Sequence, residues 1–70
     1  MTELLIEMDK WKLFLKDYDG IIKRDNVKVG EIYSPAGMFK VRNIVVVYGH
    51  EEILVFDYKT GKQIKREYTR

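Results

Sequence analysis

The sequence predicts a small α+β domain, with one N-terminal α-helix packed on a curled antiparallel sheet of four to five strands. Three observations carry this expectation. Leu4, Met8, Trp11, Leu15 and Tyr18 recur at alternating steps of four and three, the period of one helix face. Met38 to Tyr58 reads as two apolar strands joined at Gly49-His50 and holds the longest uncharged apolar run, Ile44 to Tyr48. Turn signals divide the remainder at Asp25-Asn26, at Ser34-Pro35-Ala36-Gly37 and around Gly61.

The helix is expected over residues 2–18. Thr2 can cap its first turn, Glu3 and Lys16 suit the two ends of its dipole, and Gly20 can end it in a left-handed conformation. A competing reading makes Trp11 to Lys16 an alternating strand, with Tyr18-Asp19-Gly20-Ile21 turning into another. On the helical reading Ile6 and Leu13 fall opposite the main stripe, where a surface helix is normally polar. These two residues are therefore candidates for a protein interface, with a partner or with a second copy.

Four strands follow, over about residues 27–33, 38–48, 51–58 and 63–69. Gly30 interrupts the first and suggests a bulge. Polar Arg42-Asn43 interrupts the second and suggests a bend. A turn centred on Gly49-His50 sets Val46 against Ile53 and Ile44 against Val55 on one face. It sets Val45 against Leu54 and Val47 against Glu52 on the other, with Phe56 beyond. Both faces are then apolar, unlike a sheet with one wet face, so each needs a cover. The helix would supply one cover and the curling of the outer strands the other. Uncovered, Ile44 to Tyr48 is an aggregation hazard. The last strand is rich in charge, which suits a protected sheet edge. In strand number and turn placement, residues 27–69 resemble SH3-like barrels or rolls, and no family motif accompanies that likeness.

Seventy residues make one domain, 1–70, near the small end of what folds unaided. Charged residues reach 34% with both signs interspersed, the composition of a solvated surface. The absence of cysteine removes disulfides and thiolate chemistry. The acidic N-terminus lacks the basic region of a signal peptide, and no apolar run approaches the ~18 residues of a membrane span. A cytoplasmic protein is the expectation.

No catalytic, metal or cofactor site is expected. Ser34 and His50 lie in different turns and make no nucleophile–base pair. Glu51 and Glu52 are adjacent and would point to opposite faces of a strand. Asp17-Tyr18-Asp19-Gly20 lacks the further oxygen ligands and closing glutamate of a calcium loop, and the five glycines form no phosphate cradle. Positive charge does gather at the C-terminal hairpin. Residues 36–70 carry seven Lys/Arg against four Asp/Glu, while residues 1–35 carry six against seven. Lys59, Lys62, Lys65, Arg66 and Arg70, with Tyr58, are candidates for nucleic-acid contact.

The function expected is that of a non-enzymatic macromolecule-binding module, with a protein partner or self-association favoured. It would be an accessory or inhibitory factor of the kind encoded by bacteria or their phages. A nucleic-acid-binding barrel using the basic hairpin is the alternative. No membrane or small-molecule partner is expected.

Overall fold

Eight strands, and no helix among the described residues, make up the computed structural model, which describes residues 2–69. Strands β1 (Thr2–Met8), β2 (Trp11–Lys16), β3 (Asp19–Arg24) and β4 (Val27–Tyr33) form one antiparallel meander. Strands β5 (Pro35–Val41), β6 (Ile44–Gly49), β7 (Glu52–Asp57) and β8 (Gln63–Tyr68) form a second. The expected N-terminal helix, and with it the α+β, SH3-like architecture, is corrected to an all-β pair of meanders.

The reason lies in the turns. Asp9-Lys10, Asp17-Tyr18, Asp25-Asn26 and Arg42-Asn43 each close a two-residue hairpin, and the first residue of each takes a left-handed φ of 52–58°. Asp, which holds that position in the first three, tolerates the region because its short polar side chain can bond locally, and Arg42 holds it in the fourth. Across Asp9-Lys10, Met8 pairs with Trp11, so a spacing of three that mimics a helical step is a cross-strand pair. The alternation of β1 is further disguised by a bulge between Leu4 and Ile6. Leu4 pairs with Phe14, while Ile6 pairs with the core residue Leu13. Residues 38–48, expected as one bent strand, are two strands, and Arg42-Asn43 is their turn.

Elsewhere expectation and structure run closer. Strand 27–33 is β4, and its partner β3 shifts register opposite Val29, next to Gly30. The β6–β7 turn centres on His50-Glu51, one residue later than expected, so Val46 pairs with Val55 and Val47 with Leu54. Pairing slips by two residues, which leaves every side chain on its expected face because the strand period is two. Gly61 adopts φ +81° in the β7–β8 connection, as a bulged turn requires.

The two sheets pack through one apolar layer. Trp11, Leu13, Ile22 and Ile32 come from the first sheet, and Met38, Val45, Val47, Leu54 and Phe56 from the second. The rings of Trp11 and Phe56 meet at 5.5 Å and 59°, a tilted geometry suited to their quadrupoles. Phe56 also lies directly on the β4 backbone: a Cβ at Gly30 would stand 2.8 Å from its Cζ. A single residue, Ser34, carries the chain from β4 to β5. Its N–H donates to Tyr18 O at 2.7 Å, and its carbonyl accepts from His50 N–H at 3.2 Å. The corner thus ties a turn of each sheet.

Two arginines stitch the layers from opposite directions. Arg24 of β3 donates to the carbonyls of Tyr58 and Lys59, beside Trp11 Nε1–H, which donates to Tyr58 O at 3.3 Å. Arg66 of β8 donates to Glu52 Oε1 at 3.0 Å and to Glu31 O at 3.1 Å. Glu52, only 5% exposed, also accepts from Tyr33 N–H at 3.1 Å. Every buried side-chain polar atom among the described residues has a partner, as a folded interior requires. The Cα radius of gyration is 10.8 Å, close to the ~11 Å expected of a compact chain this long.

Candidate functional site

Alternation along the strands of the second sheet sends Val45, Val47, Leu54 and Phe56 into the core and their neighbours outward. The outward set is also apolar. Cross-strand register arranges it in three rows: Val41–Ile44–Asp57, Phe39–Val46–Val55–Lys65, and Gly37–Tyr48–Ile53–Glu67. Seven apolar side chains therefore lie side by side across β5, β6 and β7. Phe39 (44%), Val41 (45%) and Tyr48 (39%) are exposed, and the Phe39 and Tyr48 rings lie 6.0 Å apart. Ile44, Val46, Ile53 and Val55 are half-buried by these neighbours and do not pack against the core.

Charge is confined to the rim of this face. Lys65 and Glu67, both on β8, pair at 2.9 Å. Asp57 ends the first row, and its carboxylate accepts from the backbone N–H groups of Thr60 and Lys59. The Thr60 hydrogen bond, reinforced by that of Lys59, holds the Asp57 carboxyl below its ordinary range. This rim charge is therefore committed to the β7–β8 turn.

The outer face of the first sheet differs sharply. Glu7, Lys12, Lys23 and Lys28 form one row, with Leu4, Phe14, Ile21 and Glu31 beside it. Lys12 and Lys23 sit directly opposite each other, and the Lys23 ammonium lies 5.5 Å from the Phe14 ring centre. Lys28 pairs with Glu31, which lowers the pKa of that carboxyl. A shallow depression here is lined by Lys16, Asp17, Asp19, Ile21, Lys28 and Glu31. This is a wetted sheet face, whereas the second sheet's outer face has the composition of a buried one.

The residues singled out from sequence are dispersed. Ile6 and Leu13 are cross-strand partners on the inner face, and Leu13 is wholly buried, so neither offers a partner the exposed helical face expected of it. Tyr58 donates its hydroxyl to Asp9 at 2.8 Å, which raises its pKa, and its ring lies under the Lys40 ammonium at 4.1 Å. Arg66 is engaged with Glu52 and Glu31, while Lys65 points to the opposite face of β8 and pairs with Glu67. Lys59 and Lys62 are exposed in the β7–β8 connection or at its end, and Arg70 lies outside the described residues. Ser34 and His50 meet only through backbone atoms. Among the described residues no group of three or more His, Cys, Asp or Glu could hold a metal ion, and no helix is long and apolar enough to cross a membrane.

The outward apolar residues not singled out from the sequence are Phe39, Val41, Ile44, Val46, Tyr48, Ile53 and Val55. Their signal was present in a β6 strand without charge on either side. It pointed to two covers, and the fold supplies one. No protein-family model, no curated protein and no solved structure matches the chain.

Proposed function

We propose that this protein is a non-enzymatic protein-binding module whose contact surface is the outer face of the second sheet. The observation that carries the reading is the patch of seven apolar side chains, free of charge at its centre, on a sheet whose other face already fills the core. Contiguous exposed apolar surface on so small a domain marks a site of contact. Phe39 and Tyr48 supply the aromatic anchors that concentrate energy in such sites, and Asp57, Lys65 and Glu67 supply the polar rim. A module of this kind acts by occupying a partner's surface, as an accessory or inhibitory factor does. The basic hairpin residues do not support a nucleic-acid reading equally, since Tyr58 and Arg66 serve the fold and Lys65 and Arg66 face opposite ways.

Affinity capture from extracts of the source cells tests the reading. Proteins retained by the wild-type chain should be lost with Val46→Lys, which buries an unpaired ammonium at the patch centre and weakens binding by about 100-fold or more. They should be retained by Lys59→Ala/Lys62→Ala. Capture indifferent to Val46→Lys would sink the proposal.

A further inference from the structure

Resting on that reading of the face, we infer that its occupant is a second copy of this chain, joined about a two-fold axis that crosses the strands between the Val46–Val55 and Tyr48–Ile53 rows. Three features lead there. The first is chemical exclusion. The centre of the face carries no charged group to meet one, so whatever covers it must bring no unpaired charge. The other outer face of the same chain fails this condition, because Lys12 and Lys23 stand together near its middle and take part in no ion pair among the described residues. Head-to-tail stacking of copies is thereby disfavoured. The face of the second sheet, meeting itself, satisfies the condition.

The second feature is the rim. Lys65 and Glu67 lie in adjacent rows of the outer face on the same strand. Rotation by 180° about the stated axis exchanges those rows and keeps β8 over β8. Each Lys65 then lies across from the Glu67 of the other copy, giving two reciprocal ion pairs at one edge. Tyr48 and Ile53 come to lie across from Val46 and Val55, so apolar meets apolar throughout the centre. An isologous contact of this type is self-complementary and closes at two.

The third is size. A face four strands wide at ~4.8 Å spacing and six residues long at ~3.3 Å covers roughly 400 Å² in projection. Two such faces amount to about 800 Å² in projection, and side-chain relief raises the accessible surface removed to about 1,000 Å², the lower limit for a specific interface. The dimer is therefore one that forms in a concentration-dependent way, with folded monomers in exchange.

Sedimentation equilibrium on the full chain, from micromolar to millimolar concentration, tests this with two charge-reversal variants. The wild type should form dimers and nothing larger. Lys65→Glu alone and Glu67→Lys alone should each dimerise about tenfold or more weakly, with unchanged circular dichroism. An equimolar mixture of these two variants should recover dimerisation, because each then meets its opposite charge across the axis. A wild-type chain that stays monomeric at millimolar concentration, assembly beyond two copies, or a mixture no better than its components would each overturn the inference. A monomeric wild type that still captures another protein through Val46 would refute the second copy while leaving the contact face intact. A dimer that survives Val46→Lys would refute both.

Discussion

Trp11→Ala should leave much of the chain unfolded at 25 °C. Trp11 is fully buried between the sheets, packs at a tilt against Phe56 with ring centres 5.5 Å apart, and donates Nε1–H to Tyr58 O at 3.3 Å. Truncating a buried tryptophan to alanine costs about 3–5 kcal/mol, from lost transfer energy and from the cavity left behind. A 70-residue domain has about 4–10 kcal/mol of total stability to lose. The hydrogen bond adds to the loss, since the Tyr58 carbonyl would give up one of its two side-chain donors among the described residues, Trp11 and Arg24. Trp11→Phe keeps a ring against Phe56 and should cost less, about 1–2 kcal/mol. Urea titration followed by far-ultraviolet circular dichroism measures both variants. A midpoint for Trp11→Ala within error of the wild type would show that the sheets are not joined through this residue.

Arg66→Ala should be the second severe change, at about 2–4 kcal/mol. The substitution strips Glu52 of its ion-pair partner among the described residues and leaves the carboxylate buried against the Tyr33 N–H. Breaking a buried pair from one side costs about 3–5 kcal/mol when both charges are fully enclosed. Arg66 is about one-third exposed, so solvent reaches the remaining charge and the cost falls somewhat below that range, to about 2–4 kcal/mol. Glu52→Gln keeps an acceptor for Tyr33 N–H and removes the charge, so it should cost less, about 1–2 kcal/mol. The combined Glu52→Leu/Arg66→Leu variant should cost less than the sum of its single changes, because no orphaned ion remains. Urea midpoints for the set give the coupling directly. Strict additivity would mean that Glu52 and Arg66 do not act as a pair.

Lys65 and Arg66 explain why the C-terminal hairpin is hard to read from sequence. As a string, Tyr58 to Arg70 offers cations and two tyrosines. Folded, alternation sends Lys65 and Arg66 to opposite faces, and Arg66 reaches β4, thirty-five residues earlier in sequence at Glu31. Nothing local distinguishes a cation that binds a distant carboxylate from one that meets solvent.

The N-terminal half misled for a related reason. Met8 and Trp11 are three apart both on a helix and across a two-residue turn, and the bulge at Leu5 removed the alternation that would have separated the cases. A periodic signal lay in the turns. Asp9, Asp17 and Asp25 fall eight residues apart, each opening a hairpin with left-handed φ. That spacing is the rhythm of short strands in an antiparallel meander. By contrast, the β6–β7 hairpin was legible down to the face of each residue, because β-branched residues set a clear pattern of two and the misplaced turn centre shifted pairing by a full period. The same pattern showed that both faces of this hairpin are apolar. Which face the rest of the chain would cover depended on the first sheet, and so was invisible once its strands were read as a helix.

Val45 and Val46, adjacent in β6, belong to different surfaces: Val45 to the core and Val46 to an outer face that the chain leaves open. Lysine at each position, compared by urea unfolding at dilute concentration, separates them. Val45→Lys buries an unpaired ammonium in the core and should abolish cooperative folding. Val46→Lys should remain folded, within about 1 kcal/mol of the wild type, the scale of a lost β-branched residue on an open sheet face. Equal collapse of the two variants, or greater damage from Val46→Lys, would show that the outer face is buried within the monomer and would contradict the account.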